Sequence, residues 1–101
     1  MRLTLLPVLL MVAVPQTVYA QDQALIDAGA AVYETNCSPC HGQRLRNQGG
    51  SFDLRELKED ERERFNASVL DGVRMMPPWR GTLADEQLDQ LWAYIRAYAY
   101  E

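Results

Sequence analysis

Cys37-Ser38-Pro39-Cys40-His41 holds both cysteines of this 101-residue chain and its only histidine. Three chemistries use such a string. A C-x-x-C pair can form a disulfide or a redox-active dithiol, but the redox dithiol belongs in a βαβ context and the flanks here read as helix. A structural zinc site usually takes four protein ligands. Cys37, Cys40 and His41 supply three, and no other Cys or His exists. Covalent haem accounts for every member: the two thiols add to porphyrin vinyl groups, and the histidine beside the second thioether reaches the iron. Cys and His are rare enough that a chance C-x-x-C-H in about 100 positions is on the order of one in a thousand. The string therefore reads as one covalent haem c, with Cys37 and Cys40 as thioethers and His41 as an axial ligand.

An iron held by His41 has either an open sixth position or a second ligand. No second histidine is available, so the candidates are thioether sulfurs. Past residue 20 the chain has two methionines, Met75 and Met76, in Gly72-Val73-Arg74-Met75-Met76-Pro77-Pro78-Trp79. A methionine inside a helix usually fills a gap in the core. One in a loop stiffened by two prolines is more often positioned for a task.

Outward from these motifs, three helical segments are expected and no alternating strand pattern is seen. The first spans about Gln23 to Asn36, with Leu25, Ala28, Gly29, Val32 and Tyr33 on one face. The second begins after Leu57 with Asp60 as its N-cap, carries Phe65, Val69 and Leu70, and stops at Gly72. The third follows Gly81, where Thr82-Leu83-Ala84-Asp85 has the form of a capping box with Asp in place of Glu. Leu88, Leu91, Trp92, Ile95 and Tyr98 form its apolar face, with Asp85, Glu86 and Asp89 near its positive end. The loop Gln43 to Phe52 turns at Asn47-Gln48-Gly49-Gly50. The alternating charges of Asp53 to Arg64 read as a solvated surface.

At this point the chain resembles the small class I c-type cytochromes. The matching features are C-x-x-C-H near the start, a later Met-Pro, Gly29-Ala30-Ala31-Val32-Tyr33 ahead of the haem motif, and Leu91-Trp92-Ala93-Tyr94-Ile95 in the last helix. The resemblance implies an all-α, cytochrome c-like fold of about three main helices around one covalent haem. It picks Met76, before Pro77, as the distal iron ligand, with Met75 the neighbour to test. It also implies that Gly29 lets the first helix cross closely on the last. Trp79 and Arg74 or Arg80 become candidate partners for haem propionates, set against plain packing for the tryptophan and solvent exposure for the arginines. One departure is visible. The class often has a proline soon after the haem motif, whose carbonyl orients the histidine, and none lies between His41 and Pro77 here. A carbonyl in the Gln43–Gly50 loop is expected to take that part.

Residues 1–20 read as a secretory signal peptide. Arg2 precedes an apolar run from Leu3 to Val14, Pro15 breaks it, and Val18-Tyr19-Ala20 suits a cleavage site. The cytochrome domain then spans 21–101. The run is shorter than the roughly 18–20 apolar residues of a membrane span. It also distorts the composition: of the residues counted in the 48% hydrophobic total, 14 lie in the first twenty positions. The remaining 81 residues carry 25 apolar side chains larger than alanine, a thin core that a macrocycle would complete. Without Arg2, nine basic residues face fourteen acidic ones, a net charge of −5. That balance excludes nucleic acid as a partner.

The expected function is a periplasmic, monomeric, single-haem electron carrier and not an enzyme, since His/Met ligation saturates the iron and favours electron transfer over oxygen chemistry. Asp53-Leu54-Arg55, Phe65 with Val69-Leu70-Asp71-Gly72, Met76-Pro77-Pro78-Trp79 and the last helix are similar to cytochromes that accept electrons from periplasmic quinoprotein (PQQ-dependent) alcohol dehydrogenases. That similarity implies such a dehydrogenase as donor and a terminal oxidase or another cytochrome as acceptor. The alternatives are an open-site haem sensor or enzyme, and a fixed haem subunit of a larger oxidoreductase.

Overall fold

The computed structural model describes residues 2–8, 16–47 and 49–100. The cleavage-site residues Val18 to Ala20 fall within the first helix, while residues 9–15 of the apolar leader lie outside the described set. Four α-helices follow in order: α1 (Gln16–Asn36), α2 (Ser38–His41), α3 (Arg62–Asp71) and α4 (Asp85–Ala97). Single 3₁₀ turns at Gln43–Leu45, Leu54–Glu56 and Glu59–Glu61 link α2 to α3. Among the described residues no strand forms, and isolated bridges pair Val73 with Met76 and Arg80 with Leu83. The fold is all-α, with α1, α3 and α4 as its three long helices.

Helix boundaries differ from the sequence reading in ways that have local causes. Helix α1 starts seven residues before Gln23, because nothing between Gln16 and Ala28 is Gly or Pro and a helix needs no apolar stripe to propagate. Its buried line runs through Gly29 and Tyr33, whereas Leu25 is 38% exposed. Asp60 is not an N-cap. It sits within the 3₁₀ turn ahead of α3, and Glu61 accepts the Lys58 backbone N–H at 3.0 Å instead. Thr82 is not the cap of α4 either. Gln87 Oε1 accepts the Ala84 N–H at 2.9 Å, so the N-cap is Ala84, two residues later than the capping-box reading implies. Gly72 does end α3, at φ 77°, a conformation that favours glycine. Tyr98 lies beyond the end of α4, is 58% exposed, and leans on Tyr94 at a ring separation of 5.3 Å.

The core collects Tyr33, Leu45, Leu57, Phe65, Val69, Leu83, Leu88, Leu91, Tyr94 and Ile95. Helix α3 presents Phe65 and Val69, one turn apart, and the Phe65 ring meets Trp92 of α4 at 5.3 Å. The charged run 53–64 is not wholly solvated. Leu57 is buried and Leu54 half-buried within it, while Asp53–Arg55 and Glu61–Arg64 pair on its outer side.

Helices α1 and α4 cross at Gly29. A Cβ there would stand 1.9 Å from the Gln90 carbonyl oxygen and 2.9 Å from Tyr94 Cβ. The two backbones therefore touch, which explains a glycine in the middle of a helix despite a cost of about 1 kcal/mol against alanine. One turn on, the Tyr33 and Tyr94 rings pack at 5.3 Å. Gly29→Ala gains that helix propensity but forces the crossing apart, and a net loss of about 1–3 kcal/mol is expected from overpacking. Denaturant unfolding of the haem-loaded protein measures it, and an unchanged midpoint would mean the helices separate without cost.

Candidate functional site

The Cys-x-x-Cys-His string forms directly off the end of α1. The Cys37 N–H donates to the Tyr33 carbonyl at 2.8 Å, and the His41 N–H to the Cys37 carbonyl at 2.9 Å. Pro39 occupies the first turn of α2, where its missing N–H costs nothing. Ser38 Oγ donates to the Glu34 carbonyl at 2.7 Å, tying the motif back onto α1. Three residues apart on one turn, Cys37 and Cys40 share a face. Cys37 is half-buried and Cys40 exposed, and both are free thiols. Burial, and then the neighbouring Cys40, pushes the Cys37 thiol up to about 11.

Behind the motif, the fully buried Tyr33 donates its hydroxyl to the Gly42 carbonyl at 2.6 Å. Burial raises its pKa well above the usual phenol range, so it stays a donor. Gly42 has φ 87°, and a Cβ there would lie 1.9 Å from the Arg46 carbonyl oxygen. Only glycine lets the loop fold this tightly after His41. Arg44 and Leu45 also take positive φ, which turns Leu45 into the core.

His41 Nδ1 lies 3.3 Å from the Phe52 carbonyl oxygen. A carbonyl only accepts, so Nδ1 carries the proton and Nε2 keeps its lone pair for a metal. Burial holds the imidazole below its ordinary pKa, against the opposing effect of the Phe52 bond, and this favours the neutral form that metal binding needs. The orienting carbonyl is therefore Phe52, not one of the Gln43–Gly50 loop. That loop curls away at Gly42, Arg44 and Leu45. It returns through Asn47 Nδ2, which donates to the Ser51 carbonyl, and Ser51 Oγ, which donates to the Cys40 carbonyl at 3.2 Å. Phe52 is the next residue.

The methionine loop is built on the C-terminus of α3. Val73 and Met76 exchange backbone hydrogen bonds at 3.2 and 2.9 Å, closing a turn whose tip is Arg74-Met75. Beyond the prolines, the Trp79 N–H donates to the Val69 carbonyl at 2.9 Å and the Arg80 N–H to the Leu70 carbonyl at 3.1 Å. These bonds satisfy carbonyls at the end of α3 and fix the segment. Gly72 lies against it, since a Cβ there would come within 2.7 Å of the Met76 carbonyl oxygen. The two methionines separate cleanly: Met76 packs against the core, while Met75 is 96% exposed. Trp79 also packs against the core. Arg80 is engaged by Asp71 at 2.7 Å, and Arg74 is exposed at the turn.

Cys37 and Met76 border the same buried cluster, together with half-buried Val32, Leu54, Leu70 and Trp79. Two thiols one turn apart, an imidazole with Nε2 unengaged, an inward thioether and this apolar rim fit a haem c. A bare metal ion fits poorly. Among the described residues no three His, Cys, Asp or Glu side chains converge as such an ion requires. Gly42 and Phe52 were not singled out from the sequence. The glycine directly after a helical turn was a legible signal for the first, while nothing local marks Phe52, because its part is played by a backbone carbonyl.

Comparison with known proteins agrees with this geometry. Residues 24–95 match the family model for "Cytochrome C oxidase, cbb3-type, subunit III". The chain is 34% identical over 85 residues to the quinohemoprotein alcohol dehydrogenase ADH-IIG of Pseudomonas putida, covering 81% of this chain and 12% of that protein. It is 37% identical over 87 residues to cytochrome c550 of Pseudomonas aeruginosa, covering 79% of this chain and 57% of the relative. Cytochrome c6 of Microcystis aeruginosa is 29% identical over 76 residues, 70% of this chain and 94% of its own. The chain thus spans about an eighth of the dehydrogenase and just over half of cytochrome c550. No solved structure matches. The match across the helices and both loops places the chain in the cbb3-type cytochrome c oxidase subunit III family, as a mono-haem c-type cytochrome domain that binds haem c covalently.

Proposed function

We propose that this protein is a periplasmic single-haem electron carrier, exported by residues 1–20 and working as a monomer of residues 21–101. Cys37 and Cys40 hold the haem by thioether bonds, and His41 and Met76 are its axial ligands. The observation that carries this reading is the contrast between Met76, packed inward beside the core, and Met75, 96% exposed at the tip of the turn. A bound haem supplies a one-electron Fe(III)/Fe(II) couple. The chain's part is to keep that couple low-spin and six-coordinate. Phe52 fixes the tautomer of His41, and the backbone bonds from Trp79 and Arg80 to the end of α3 hold the Met76 loop. On this reading the iron is saturated by His41 and Met76, which favours electron transfer over oxygen chemistry, and the protein carries electrons without catalysing a reaction of its own.

A periplasmic quinoprotein alcohol dehydrogenase is the proposed donor, and a terminal oxidase or another cytochrome the acceptor. Support comes from the similarity to quinohemoprotein alcohol dehydrogenases, at 34% identity, and to the cbb3-type oxidase subunit FixP of Rhizobium etli, at 36%. The same matches favour a second reading, a fixed haem subunit of a larger oxidoreductase, because this chain corresponds to a fraction of those proteins' length. Support for the leader comes from Leu3, Leu5, Leu6 and Val8, which are almost fully exposed and contribute nothing to the core.

Three measurements test these assignments. Met76→Ala is expected to convert a low-spin haem to high-spin with fast carbon monoxide binding, while Met75→Ala leaves the spectrum unchanged; the reverse pattern would move the ligand to Met75. The intact mass of protein from a periplasmic extract should equal residues 21–101 plus one haem, and retention of residues 1–20 would favour an anchored subunit. In rapid mixing with a reduced quinoprotein alcohol dehydrogenase, the rate should fall as ionic strength rises, because a carrier of net charge −5 is steered by a complementary face. A rate that ignores salt would remove the electrostatic part of the proposal.

A further inference from the structure

We infer that Asp53, Arg55 and Tyr100 form a clamp that positions the Phe52 carbonyl against His41 and thereby sets the reduction potential of the haem iron. The inference rests on His41 being an iron ligand, as proposed above.

The Phe52 carbonyl needs external support. Upstream, Gly49 and Gly50 stand in open space, with nothing that a Cβ would meet within 4 Å. No proline stiffens the chain between His41 and Pro77. The Phe52 side chain is itself exposed, under the Arg64 guanidinium at 4.8 Å from its ring centre, so the residue is not anchored by burial. On the motif side, Ser51 Oγ reaches the Cys40 carbonyl at 3.2 Å.

The firm attachment lies downstream. The Asp53 carboxylate accepts three bonds from Arg55: from the backbone N–H at 3.0 Å, from Nε at 3.1 Å and from Nη2 at 3.2 Å. A paired fork of this kind is rigid as well as charge-assisted. Arg55 in turn stacks over the Tyr100 ring at 4.7 Å, and its carbonyl accepts the Tyr100 N–H at 2.8 Å. Tyr100 lies three residues past the end of α4. The chain beyond the last helix thus reaches back to hold the residue next to the His41 acceptor. Leu57, buried in the core with its carbonyl bonded to Arg96 Nη1 at 2.6 Å, anchors the same segment to α4. Arg55 holds the Asp53 carboxyl below the usual carboxylate range, so the fork is intact at neutral pH.

The consequence is electronic. A firm Nδ1–H···O=C bond makes the imidazole a stronger donor through Nε2 and stabilises the ferric state. A looser carbonyl weakens that bond and favours the ferrous state.

The experiment uses the haem-loaded protein as isolated from the periplasm. Redox titration and the solvent exchange rate of the His41 Nδ1 proton by NMR are compared in wild type, Asp53→Asn, Tyr100→Ala and Asp89→Asn. Asp89 pairs with Arg62 on the surface and controls for loss of one carboxylate charge. The clamp predicts that Asp53→Asn and Tyr100→Ala both accelerate proton exchange. Both should also shift the reduction equilibrium toward the ferrous form by about tenfold, about 59 mV for one electron. Asp89→Asn should move neither. Unchanged potential and exchange in Tyr100→Ala would overturn the clamp, as would an Asp53→Asn shift no larger than that of Asp89→Asn. The wild-type spectrum separates the premise from the inference. A haem without an imidazole ligand sinks both, whereas a low-spin histidine-ligated haem with unmoved variants sinks the clamp alone.

Discussion

The site depends on two helix backbones touching at Gly29. Because α1 lies directly on α4 there, with no room for even a methyl group, Tyr33 one turn later is driven into the core against Tyr94. Its hydroxyl then has a single outlet, the Gly42 carbonyl, at 2.6 Å. That bond, with the Tyr33 carbonyl accepting the Cys37 N–H, fixes both ends of the Cys37–His41 turn to α1. A packing constraint between distant parts of the chain becomes a positional constraint on the residues proposed to take the haem. The tolerance is small, since interiors are close-packed and do not deform smoothly.

The second half of the site hangs on α3. A helix end leaves carbonyls without partners, and here Val69 and Leu70 receive the N–H groups of Trp79 and Arg80. The chain between must therefore loop out and return within a fixed distance, with Pro77 and Pro78 limiting its freedom. Gly72 at φ 77° starts the loop and lies beneath it. One methionine turns in and its neighbour turns out as a result. The thin apolar core follows the same logic: among the described residues ten large side chains are buried, and a half-buried rim of Val32, Leu54, Leu70, Met76 and Trp79 borders them. A covalent macrocycle would complete that rim.

The chain is similar to segments of quinohemoprotein alcohol dehydrogenases and of an oxidase subunit, and also to proteins named as cytochromes c550 and c6. In this chain the support around the proposed ligand His41 can be traced to particular residues. The Phe52 carbonyl faces His41 Nδ1, the part that the resemblance gives to a proline carbonyl. The support that such a ring would give locally is proposed to come instead from Asp53, Arg55 and Tyr100.

Cys37-Ser38-Pro39-Cys40-His41 was legible because rare residues at fixed spacing have few chemical uses, and Met76 because a loop methionine before proline stands out. The apolar periodicity of residues 88–95 gave the last helix, and Gly29 gave the crossing. Periodicity could not give the starts of α4 and of the 3₁₀ turn that leads into α3, since those depend on which side chain reaches a free N–H: Gln87 and Glu61 rather than Thr82 and Asp60. Nor could it place Tyr98 outside the core. The amino-acid sequence by itself determined the cofactor and the all-α fold and named candidate ligands, because these follow from residue chemistry and local spacing. Only the tertiary structure decided which carbonyl holds His41, which methionine faces inward, and that residue 100 reaches back to residues 53–55. Each of those rests on a backbone carbonyl or N–H that meets a group elsewhere in the chain, and such a backbone group carries no mark in the sequence.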